Sequence, residues 1–148
     1  MNTAASQGSS PNLPEIATPA RILRAAAHYL AVHGWTQGDH YFHTTDADPS
    51  TWPEADVLGA IGVAVYARVY PNPDNPHLAN WPVFSAACDV LYDYLDVADD
   101  YLHDRPDAGI GDWNDQPAMT AQQVIDTLTN AATRWETLAE THTSGGAA

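Results

Sequence analysis

Residues 120–138 read TAQQVIDTLTNAATRWETL, and this stretch decides the fold. Val124, Leu128, Ala131, Trp135 and Leu138 recur at spacings of 4, 3, 4 and 3, the period of one face of an α-helix. Thr120 stands where an N-cap belongs, and Gln123 three residues on completes a capping box. Working back along the chain, the same grammar recurs. Asn80-Trp81-Pro82 opens a segment that reads as helix to about His103. Thr51-Trp52-Pro53-Glu54 looks like a second capping box, opening a helix to about Val69 that is apolar nearly all round and so should lie at the centre. Thr18 as cap and Pro19 at the first position open the earliest helix, with Ile22, Ala26, Tyr29 and Leu30 as its apolar stripe and Gly34 as its end. No run alternates strictly with period two, so a sheet is not expected.

The expected fold is therefore all-α, a compact bundle of about four helices. Residues 18–140 form one domain, with a Ser/Gly/Pro/Asn tail over 1–17 and a Thr/Gly/Ala tail over 141–148 expected to be mobile. Gly59 and Gly62 cost helix propensity, and the expected compensation is close approach of a neighbouring helix. The connections 34–50, 70–79 and 104–119 are long. Such loops are either functional or packed by their own aromatics, here Trp35, Tyr41, Phe42 and Trp113.

Composition narrows the function more by exclusion than by assignment. The 148 residues carry 19 Asp and Glu against five Arg and no Lys, a net charge of −14. Residues 39–115 hold 14 Asp and Glu54 against Arg68 and Arg105, so the middle of the chain carries almost the whole excess. Such a surface repels nucleic acid and anionic lipid. A high-GC genome or a salt-adapted host would give the same bias without any function. A single cysteine, Cys88, rules out a disulfide framework, and its neighbour Asp89 makes it a poor nucleophile. There is no apolar run long enough to span a membrane and no visible secretory signal. GxGxxG, P-loop, HExxH and nucleophile-elbow patterns are absent.

Three constellations carry the candidate chemistry. In DVLYDYLDVADDYLHDRPD, Asp89, Asp93, Asp96, Asp100, His103 and Asp107 follow at spacings of 4, 3, 4, 3 and 4, one stripe of a helix that persists to its end. The stripe reads first as a solvated face opposite Leu91, Leu95 and Leu102, and second as a seat for a divalent ion that would relieve its repulsion. The first long loop adds His40, His43 and Asp46, a His-x-x-His pair beside a carboxylate. Trp113-Asn114-Asp115 precedes the last helix, where Asn and Asp most often build turns.

Leu23-Arg24-Ala25-Ala26, Gly34-Trp35-Thr36-Gln37-Gly38, Leu58-Gly59-Ala60-Ile61 and Trp113-Asn114-Asp115 with Thr120 and Val124 occur in that order. Together they make the chain, from about Arg21 to Ala132, resemble domain-of-unknown-function family 6197, small proteins of actinobacteria and their phages. Asp56-Val57 stands where members often carry a Cys, so no Cys-dependent role is carried over. The resemblance implies a compact cytoplasmic or phage-encoded (virion-associated) protein, and it implies no activity, substrate or catalytic residue.

Two functional readings remain open. The first is a non-enzymatic module that binds a protein with a basic surface and needs no cofactor. Its contact residues are Trp35, Tyr41, Asp89, Asp93, Asp96, Asp100, Trp113, Asn114 and Asp115, the aromatics serving as anchors if exposed. The second is a metal-dependent hydrolase drawing a divalent ion's ligands from His40, His43, Asp46, Asp100 and His103. The oligomeric state is not legible.

Overall fold

The computed structural model describes residues 18–41 and 52–147, with side chains through 141. Its elements are α1 (Pro19–His33), α2 (Val57–Tyr66), α3 (Trp81–Asp93) continued by a π-helical turn (Tyr94–Ala98), α4 (Ile110–Asn114) and α5 (Ala121–Ala147). No strand occurs among the described residues, so the chain is all-α. None of these helices is long and apolar enough to cross a membrane. α1 packs mainly against α5 and α2, and α3 closes the bundle against α1, α2 and α5.

The caps of α1 and α5 are those the sequence announces. Thr18 Oγ1 accepts from Arg21 N at 3.3 Å, and Gly34, at φ 103°, donates its N–H to the Leu30 carbonyl. Thr120 N donates to Gln123 Oε1 at 3.0 Å while Gln123 N donates to Thr120 Oγ1 at 3.2 Å, a reciprocal box. The expected stripes are buried: Ile22, Ala26, Tyr29 and Leu30 on α1, and Val124, Leu128 and Ala131 on α5. Trp135 is half-buried, and Leu138 is exposed on α5 although it keeps the period. α5 itself runs on to Ala147, through residues that composition reads as a tail. Once a helix is nucleated, each further residue adds a hydrogen bond at little cost. The tail expected over 1–17 lies outside the described residues.

α2 departs most from expectation. It starts at Val57, not at Thr51-Trp52, and its cap is Asp56, whose Oδ1 accepts from Gly59 N at 2.7 Å. Residues 52–56 stay out of the helix, and the first loop takes the backbone of the last two: Ala55 N donates to Gly34 O, Thr36 N to Ala55 O, and Asp56 N to His40 O at 2.8 Å. Single bridges therefore join Ala55 to Trp35 and to Tyr41. α2 ends three residues before Val69, with Ala67 left-handed at φ 59°. Its glycines admit loops rather than a helix. A Cβ on Gly59 would stand 2.3 Å from the His40 carbonyl oxygen, and one on Gly62 would stand 2.6 Å from Pro73 Cβ.

α3 also ends early. After Asp93 the helical ring widens, Asp99 N donates to Tyr94 O at 2.9 Å, and no helix continues to His103. Asp100 follows in the left-handed region at φ 68°. α4 is an addition within the 104–119 connection, its start held by Gly109 N donating to Asp112 Oδ2 at 2.8 Å.

Candidate functional site

The residues singled out from the sequence divide between a buried junction and an open acidic face. The junction is built where α4 delivers Asn114 to the first loop and to the start of α2. Asn114 is 0 % exposed, and its Oδ1 accepts from Trp35 Nε1 at 2.8 Å and from Val57 N at 3.1 Å. Its Nδ2 donates to Asp115 Oδ1 at 2.9 Å and to the Thr36 carbonyl at 3.3 Å. Gln37 Nε2 donates to the Asn114 carbonyl, and Gly38 N donates to Asp115 Oδ1, so both residues also tie down the loop. A buried amide must place its donors and acceptor on partners, and this one does so on two distant segments and on its own neighbour.

That arrangement gives Trp35, Tyr41, Trp113, Asn114 and Asp115 an internal duty. Trp113 is 2 % exposed, Tyr41 is buried with its hydroxyl donating to the Gly59 carbonyl, and Trp35 is half-buried. The exposure that an anchoring role required is thus missing from Tyr41 and Trp113. They pack the long loops, the other use such aromatics have. Phe42 lies outside the described residues. The well-exposed tryptophan is instead Trp52, edge-on to the Tyr29 ring at 6.3 Å.

His40 sits at the rim of the junction. Its Nδ1 lies 3.1 Å from Asp56 Oδ2, so the carboxylate that caps α2 also pairs with the ring. The hydrogen bond to Asp56 raises the His40 pKa above its ordinary value of 6.5, partly opposed by burial and assisted by the charges of Asp56, Asp39 and Asp115. Burial, seconded by Asp74 and Asp89, pushes the Cys88 thiol far up, so Cys88 is neutral and unreactive at neutral pH.

The hydrolase's proposed ligands do not assemble where they are described. Asp100 and His103 are both exposed in the turns after the π segment, and His40 pairs with Asp56. His43 and Asp46 lie outside the described residues. Among the described residues no group of three or more His, Cys, Asp or Glu could hold a metal ion.

The acidic residues do not form one stripe either. Asp89 and Asp93 are exposed on α3, Asp96 is half-buried in the π turn, and Asp107 is exposed in a turn beyond it. Asp93 is paired with Arg134 at 2.6 Å. Past the π turn, Asp99 and Asp100 join Asp104 and Asp126 at a cleft of about 580 Å³ between the end of α3 and α5. Trp113, Met119 and Arg105 complete its wall, and Arg105 lies over the Tyr101 ring at 4.4 Å with Nη1 donating to the Tyr101 carbonyl. Desolvation and the neighbouring Asp100 charge raise the Asp99 carboxyl pKa above the ordinary carboxylate value. The sequence shows Asp99, Asp100 and Asp104 as one acidic run, but nothing in it adds Asp126 from α5 or sets Trp113 beside them.

The sequence profile of a family of unknown function, DUF6197, matches residues 14–134. The chain belongs to this family. The match spans the whole of α1 to α4 and the first half of α5, including the Trp113-Asn114-Asp115 hub. No curated protein and no solved structure matches the chain. For this member of DUF6197, function must be read from the site itself.

Proposed function

We propose that this DUF6197 protein is a non-enzymatic interaction module whose cleft between the end of α3 and α5 receives a basic protein surface. The observation that carries the reading is the cleft's charge: four aspartates against Arg105, which is already engaged with Tyr101. Three of the other four arginines are engaged elsewhere. Arg24 is 2.6 Å from Glu136, Arg134 is 2.6 Å from Asp93, and Arg68 lies over the Tyr70 ring. Carboxylates left in water at the mouth of a cleft keep their charge and raise the local concentration of a cationic partner. The same field disfavours nucleic acid and anionic lipid. The setting proposed is the cytoplasm, or the virion for a phage-encoded member.

The test is a titration with an oligo-arginine peptide followed by tryptophan fluorescence, at low and at high NaCl. Replacing Asp99, Asp100, Asp104 and Asp126 together by Asn should weaken binding by about tenfold or more, the equivalent of roughly 1.4 kcal/mol. A control carrying Asp39→Asn, Glu54→Gln and Glu140→Gln, all exposed and outside the cleft, should change it far less. Losses in proportion to the charges removed, four in the one variant and three in the other, would reduce the effect to net charge and remove the cleft from the proposal.

A further inference from the structure

We propose that a groove running along α3, lined by Asp74, Trp81, Cys88, Asp89, Tyr92 and Ile110, seats one arginine or lysine side chain of that basic partner. The inference rests on the reading of the protein as a binder of basic surfaces, and it adds a second seat with its own chemistry. The groove encloses about 290 Å³ and has no basic residue in its lining. That volume is at the foot of the range for small-molecule sites, about 300–1,000 Å³, and suits a side chain better than a cofactor.

The lining matches the two halves of a long cationic side chain. Leu58, Phe84 and Ile110 offer an apolar wall to a methylene stem. Trp81 and Tyr92 offer ring faces or edges to a charged head, and Tyr92 is 41 % exposed. Asp74 and Asp89 supply the counter-charge. Trp81 Nε1 donates to Asp74 Oδ1 at 2.8 Å, which fixes the indole and the carboxylate relative to each other. Both carboxylates act on the Cys88 thiol, which places their field across the groove, while the thiol itself stays neutral. A bare metal ion fits poorly, because no third His, Cys, Asp or Glu joins Asp74 and Asp89 as a ligand group among the described residues. An organic cation with an apolar stem satisfies both walls.

The indole N–H of Trp81 is the reporter. Uniformly ¹⁵N-labelled full-length protein is titrated with the blocked peptide Ac-Gly-Arg-Gly-NH₂ and with its neutral citrulline counterpart, following the five Trp indole signals. The Trp81 signal should move and saturate with the arginine peptide only. Tyr92→Ala and Asp89→Asn, both at exposed positions, should each weaken that response by about threefold or more, as loss of a cation–π or ionic contact at a partly exposed site would. The four-Asn cleft variant should leave it unchanged. A Trp81 response shared by the citrulline peptide, or insensitive to both groove substitutions, overturns the groove as a cation seat. If oligo-arginine still binds the cleft while Trp81 stays silent, the groove fails and the wider reading stands. If neither site responds, both fail.

Discussion

The Asn114 junction and the Asp99–Asp126 cleft use similar polar residues to opposite ends. In the junction both polar side-chain atoms of Asn114 have protein partners, and Asn114 is cut off from water. In the cleft carboxylates crowd one another at the surface, with Arg105 turned to Tyr101. Polar groups in the first setting hold segments together, since an orphaned buried donor costs far more than a satisfied one gains. Polar groups in the second weaken the fold slightly through like-charge repulsion and remain available to something else. Satisfaction, not residue type, separates the two regions.

The largest test of that contrast is Asn114→Ala. It orphans the Trp35 indole N–H, the Val57 amide and the Thr36 carbonyl together, and should cost about 4 kcal/mol in urea unfolding, if the chain folds at all. A loss below about 1 kcal/mol would mean that water replaces the amide and that the junction is not a unit. Next comes Gly59→Ala, which sets a methyl 2.3 Å from the His40 carbonyl oxygen and should cost about 3 kcal/mol. Its counterpart is Gly111→Ala in α4, where a Cβ meets nothing within 4 Å, so the same change should stabilise by about 0.5 kcal/mol.

The third test uses pH. The His40 pKa is raised in the fold by its bond to Asp56, so the stabilisation is fully present below the unfolded value near 6.5. It fades as pH rises through the folded-state value. The stability difference between the wild type and His40→Gln should therefore be larger in mildly acidic than in alkaline buffer. A difference independent of pH would leave the pair as a neutral hydrogen bond. The smallest effect has the opposite sign from the first. Asp99→Asn with Asp100→Asn should stabilise by a few tenths of a kcal/mol at low salt, by relieving repulsion.

What the sequence disclosed follows the range of the interaction responsible. Thr18-Pro19 and Thr120 with Gln123 are local devices, complete within four residues, and both are found in place. The start of α2 misleads because Thr51 and Glu54 imitate a cap, while the backbone of 55–56 is engaged by residues 34–40. Asp56 with Gly59, three residues on, is the local signal that was there to be used. Asn114 reads as a turn residue because nothing within five positions shows that Trp35 and Val57 converge on it. The cleft was illegible for a different reason. Tyr94-Leu-Asp-Val-Ala98 has no residue that marks a change of pitch, so Asp89 through Asp107 reads as one face when it is not.

That π turn makes the acidic cleft a matter of chain length as well as composition. A helix that closes its ring over five residues instead of four carries one residue more before the core resumes at Leu102. Removing one residue between Tyr94 and Ala98 would let the segment relax to ordinary pitch and swing everything after it by roughly 100°. Leu102 and the aspartates could not then both keep their present sides. Substitutions can grade the strength of this face, but a single-codon deletion would re-aim it.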